Sequence, residues 1–165
     1  MKRILFSGLI FILAAMRPAF AQDALVTHKT LSPELALELA NATLNDCRKR
    51  GFQVAVAVTD RFGITQVLLR DRFAGPHTVQ TATGKAWTAV SFRTNTTDLV
   101  AATAANSPQA GIRNLPGVVI VGGGVLIEAG GTIVGAVGVS GAPGGDADHA
   151  CAKTGIDAIR DKLDF

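Results

Sequence analysis

The stretch Val118 to Gly145 constrains this chain most: VVIVGGG, VLIE, AGG, TIVGAVGVSG and APGG follow one another without a break. Three β-branched apolar runs separated by glycines predict consecutive antiparallel strands joined by tight turns. Gly135 and Gly138 fall inside the third run. A glycine within a strand marks a bulge or a close approach by another group. The near-continuous apolarity predicts that both faces of the sheet are covered.

Upstream segments supply that cover. Ser32 reads as an N-cap, Pro33 as the first helical residue and Glu34 as an acid near the positive end. Leu35, Leu39 and Ala42 recur on one face, with Ala36, Ala40, Thr43 and Cys47 beside them. Arg48, Lys49 and Arg50 fill the last turn before Gly51, a dipole-matched helix end. Gln53 to Asp60 and Ile64 to Arg70 read as a hairpin around Arg61-Phe62-Gly63. A helix from Pro76 through Phe92, a shorter one near Thr97 to Ala105 and an irregular Ser107–Pro116 segment follow. Asp146 is the expected N-cap of a final helix with Ala152, Ile156, Ile159 and Leu163 on its apolar face. The order predicts an α+β domain, a five-stranded antiparallel sheet with helices on both faces.

The first 21 residues read as a cleaved signal peptide: Lys2 and Arg3, an apolar core to Met16, and Ala19-Phe20-Ala21 as an A-x-A site. That core is too short to span a membrane. Residues 22–165 then form a single exported domain, periplasmic or secreted, with no membrane span. Removing Lys2, Arg3 and Arg17 leaves 13 basic residues against 13 acidic ones. The basic isoelectric point therefore belongs to the precursor, and nucleic acid is excluded as a partner. Cys47 and Cys151 have no metal-site spacing and lie outside any C-x-x-C motif. They either pair or remain buried thiols.

Nucleotide motifs fail. Gly122-Gly123-Gly124 leads into a strand rather than a helix, and Gly84-Lys85 lacks the rest of a P-loop. Ser140 in GVSGA is not a nucleophile elbow. Both methionines lie in the leader and tyrosine is absent, so strong iron ligands are confined to His28, His77, His149 and the thiols. His28 lies in the N-terminal arm, and His149 stands beside Asp146 and Asp148. His77 is singled out because it opens a helix near Phe73, Arg70 and Arg72, a setting suited to a flat anionic ligand.

Two motifs extend the reading. Arg70, Ala74, Thr78, Ala82 and the run Lys85 to Ala89 form R-x-x-x-A-x-x-x-T-x-x-x-A-x-x-K-A-W-T-A. The tail reads GGGV…G-x-I-V-G-A-V-G-V-S-G-A-P-G-G-x-x-D-x-x-C-A-x-x-G. Together they resemble the GlcG/HbpS family, whose module also forms the C-terminus of PduO-type corrinoid adenosyltransferases. The resemblance implies an α/β/α sandwich, homo-oligomeric assembly and, in several members, haem binding linked to haem or iron sensing and protection. Two departures stand out: His149 follows Asp148 where relatives have an acidic residue, and Arg70-Asp71-Arg72-Phe73-Ala74 replaces Arg-Met-Asp-Gly-Ala. The expectation is an exported haem-binding protein, with His77 as iron ligand and Arg70, Arg72 and Lys85 as propionate anchors. One rival is a binder of a small organic molecule, or a cofactor-independent enzyme acting on one, with its pocket between the Lys85 helix and the loop before Gly122. The other is a structural or signalling oligomer in which Trp87 serves packing.

Overall fold

The computed structural model describes residues 24–163; the leader assignment lies outside them. Helix α1 (Pro33–Lys49) is capped as expected, the Ser32 hydroxyl accepting from Leu35 N at 3.2 Å. Strands β1 (Ala55–Asp60) and β2 (Thr65–Arg70) form the hairpin, followed by α2 (His77–Phe92) and α3 (Thr96–Ala102). Strands β3 (Gly124–Ala129) and β4 (Thr132–Ser140) precede α4 (Gly145–Asp157).

Among the described residues the antiparallel sheet has four strands, in the order β2-β1-β4-β3, not the five expected. The missing strand is Val118–Val121. That segment runs beside α2, where Val119 N–H donates to the Thr88 hydroxyl at 2.9 Å and the Val119 side chain lies against Gly84. One of its backbone N–H groups is thus taken by a helix side chain, where a strand would have offered it to a neighbouring strand.

The two sheet faces differ in side-chain size. Val54, Val56 and Val58 share a core with Leu39, Ala40 and Leu44 of α1, with Val137 and Val139, and with Ala152 of α4. Ala55 and Ala57 face the other way, against Ala82 of α2, and Ala136 packs on Ala86 and Ala89. Alternation along a strand sends successive side chains to opposite faces, so the Val-Ala-Val-Ala-Val run builds a thick core under α1 and α4 and a thin one under α2. Gly138 allows the closest approach: a Cβ there would lie 2.0 Å from the Ala82 carbonyl oxygen. The glycine noted within the strand is a helix seat.

Cys47 and Cys151 are paired, with Cα atoms 5.5 Å apart. The bond ties α1 to α4 and is fully buried. Closing a loop of this size stabilises by about 4.7 kcal/mol in the chain-entropy model. Asp146 lies inside α4, and the N-cap is Gly144, which offers no side-chain acceptor. Trp87 is half-buried on the flank of α2, against the hairpin turn at Gly63.

Candidate functional site

At one end of the sheet Ala55 pairs with both Arg70 and Ser140. The chain leaves β2 toward α2 and leaves β4 toward α4 at this end, so the N-termini of both helices converge there. Between them lies a cleft of about 600 Å³, bordered by Phe52, Phe73, His77, Lys85, Ser140 and the Gly141–Gly145 turn.

The loop from β2 to α2 is held by Asp71. Its buried carboxylate accepts from Arg48 Nε at 2.7 Å and Nη2 at 3.0 Å, and from Arg72 N–H at 2.8 Å. The Arg48 hydrogen bonds hold this carboxyl below the usual range. The Thr78 hydroxyl donates back to the Gly75 carbonyl at 2.6 Å.

The floor of the cleft is an ion pair. Lys85 Nζ reaches Asp148 Oδ2 at 2.7 Å and the Val139 carbonyl at 2.9 Å. Lys85 is 1% exposed and Asp148 3%. Asp148 Oδ1 accepts from Ala142 N–H at 3.0 Å, which fixes the Gly141–Gly145 turn over the pair. Burial raises the Asp148 carboxyl above its usual range, against the opposing pull of Lys85. Gly123 makes room: at φ +113°, a Cβ there would come within 2.7 Å of Asp148 Cβ and 3.1 Å of Lys85 Nζ.

His77 lies on the cleft, exposed, with its ring beside Gly75 and its nitrogens making no hydrogen bond to a described residue. Lys85 also lines it, but as the buried partner of Asp148. Arg70 and Arg72 stand outside the lining: Arg70 Nη2 donates to the Ala74 carbonyl, and Arg72 is exposed on the loop. His28 meets the edge of Phe62 at 4.8 Å between ring centroids. His149 faces a second, smaller cleft of about 210 Å³ with Glu128, Lys153 and Asp157, where its Nδ1 is 3.1 Å from Thr97 Oγ1. Burial, then Lys153, lowers its pKa, with Asp98 and Asp146 opposing. No group of three or more His, Cys, Asp or Glu among the described residues is arranged to hold a metal ion.

Sequence reasoning missed two residues of the cleft. Asp148 was legible as a member of the tail motif, without a role. Ser140 was set aside because it lacked a nucleophile-elbow pattern, yet it is 5% exposed and lines the cleft.

Residues 31–157 match a family model described as haem degrading protein HbpS-like. The chain belongs to the HbpS-like family. It is 36% identical to a double mutant of Streptomyces reticuli HbpS, over 88% of this chain and 98% of that one, with a TM-score of 0.78. A crystal structure of a PduOC–haem complex is 28% identical, covering 79% of this chain and 95% of its own, with a TM-score of 0.73. Klebsiella pneumoniae ORFY, at 24% identity, covers 85% of this chain and 97% of its own with a TM-score of 0.81, a likeness of fold. No curated protein matches the chain. The HbpS-like relatives are thus matched along nearly their whole length.

Proposed function

We propose that this protein binds haem in the cleft between the N-termini of α2 and α4, with His77 as the iron ligand. The observation that carries the reading is the His77 imidazole, exposed on the cleft and making no hydrogen bond to a described residue. Phe73, 80% exposed, and the half-buried Phe52 give flat apolar surface beside it. A volume of about 600 Å³ is in the range of sites for small organic ligands and cofactors. The residues present therefore fit the group. The family description and the solved PduOC–haem complex support the same reading.

Arg72, exposed on the loop that carries Phe73, is the candidate propionate partner. Arg70 contributes by holding the loop at Ala74, and Lys85 by anchoring the floor. Bound haem supplies a redox-active iron; the chain supplies the ligand, the apolar walls and a positive helix-dipole field at the mouth. We further read the protein as exported and homo-oligomeric, working in haem or iron sensing or protection. The leader pattern supports export, as does the Cys47–Cys151 bond, since such bonds persist in oxidising compartments.

The test is an absorbance titration of the chain from Gln22 onward with haem, alongside His77→Ala and His149→Ala. The expected result is saturation near one haem per subunit with a Soret shift lost only in His77→Ala. No saturable shift in the parent protein would overturn the reading.

A further inference from the structure

We propose that the cleft contains an organic carboxylate subsite, formed by the Ser140 hydroxyl, Lys85 and the N-terminus of α4. This deepens the haem reading without depending on it: the carboxylate is either one carried by haem or that of a free small acid.

Three observations meet at this point. Ser140 is 5% exposed and borders the cleft. Its hydroxyl makes no hydrogen bond to a described residue and, on the cleft wall, is open to a ligand. It lies on the same face of β4 as Gly138 and Ala136, toward α2, by strand alternation. Lys85 is 1% exposed and also borders the cleft. An ammonium has three donors; two go to Val139 and Asp148, leaving one without an acceptor among the described residues. Finally, the N-cap of α4, Gly144, supplies no side-chain acceptor, and the first turn of a helix has N–H groups without intrahelical acceptors. Gly144 and Gly145 of that turn border the same cleft.

These groups call for a hydrogen-bond acceptor with more than one acceptor oxygen. A carboxylate has two oxygens that take several hydrogen bonds, and the N-termini of α2 and α4 add positive field. Two acids lie nearby. The Asp148 carboxylate is already engaged by Lys85 and Ala142 N–H, and Asp146 is exposed in the first turn. Asp148 leaves the pair with little net charge. Recognition therefore rests on directed donors, and a compact carboxylate suits it better than a phosphate.

The experiment has two arms, each run on the parent chain, Ser140→Ala and Ser140→Thr. In the first, isotope-labelled protein is titrated with sodium acetate and, separately, sodium chloride, reading the Ser140, Gly144 and Gly145 amide resonances. In the second, affinities for haem and haem dimethyl ester are compared, the ester having no free carboxylates. The expected result is a saturable acetate shift, weakened about tenfold in Ser140→Ala and retained in Ser140→Thr, with none from chloride. A haem-over-ester preference lost in Ser140→Ala would assign the carboxylate to haem. An acetate effect without that preference would assign it to a free acid. No Ser140-dependent carboxylate preference in either arm overturns the inference. Absence of haem binding alongside a Ser140-dependent acetate shift would remove only the haem reading.

Discussion

Lys85 and Asp148 form a buried ion pair 2.7 Å across, joining helices that pack on opposite faces of the sheet. The contact passes beyond the end of the sheet, through the space left by Gly123. It makes the end of the sheet a single unit: α2, α4, the last carbonyl of β4 before Ser140 and the glycine turn all meet on these two side chains. The cleft is the solvent side of that junction.

Breaking one half of this pair is expected to cost more than removing both. Lys85→Met leaves a buried carboxylate and Asp148→Leu a buried ammonium, each destabilising by about 3–5 kcal/mol. The double variant Lys85→Met/Asp148→Leu should be less destabilised than the sum of the two by more than about 1 kcal/mol. Urea unfolding of the four proteins checks this. Additive losses would show that the pair does not act as a unit.

Gly138→Ala should destabilise by about 3 kcal/mol or more. The added Cβ would sit 2.0 Å from the Ala82 carbonyl oxygen and 2.7 Å from Ala86 N, so a backbone must move, at the severe end of overpacking. Gly111→Ala, whose Cβ would meet nothing within 4 Å, should change stability by under about 0.5 kcal/mol. Thermal unfolding of both variants would expose a misplaced helix seat if the first were as mild as the second.

Stability should fall as pH drops below about 6.5, the ordinary histidine value, and His149 should carry part of that loss. Its pKa is lowered in the fold, so the unfolded chain binds the proton first, and stability rises with pH over that interval. The contribution is complete above the unfolded value and disappears as pH falls through the lowered one. In His149→Gln this part of the slope should vanish. Denaturant midpoints across the interval would count against the idea if the two profiles ran parallel.

Local signals were enough for the helices and the hairpin. Ser32-Pro33 opened α1 and Gly63 turned the hairpin, because caps and turns depend on residues within a few positions of each other. Val118–Val121 misled for the opposite reason. Its apolar run matches a strand, but Thr88, 31 residues earlier, takes its N–H, and no local pattern announces that. Asp146 was read as the cap although the N-cap is Gly144. Of the candidate site residues, His77 and Lys85 border the cleft. Arg70 stands outside its lining, its guanidinium turned to the Ala74 carbonyl by a contact local to the loop. The union of Lys85 with Asp148, 63 residues apart, depends on the whole topology.

The unequal side chains of β1 also act as a check on assembly. A slip of one position would exchange Ala55 and Ala57 for valines beneath α2 and place alanines in the thick core. The helix would then be lifted off its seat at Gly138, and Lys85 would be carried away from Asp148. Fidelity of strand pairing and formation of the cleft floor are therefore one event: a misaligned sheet has no working site to offer.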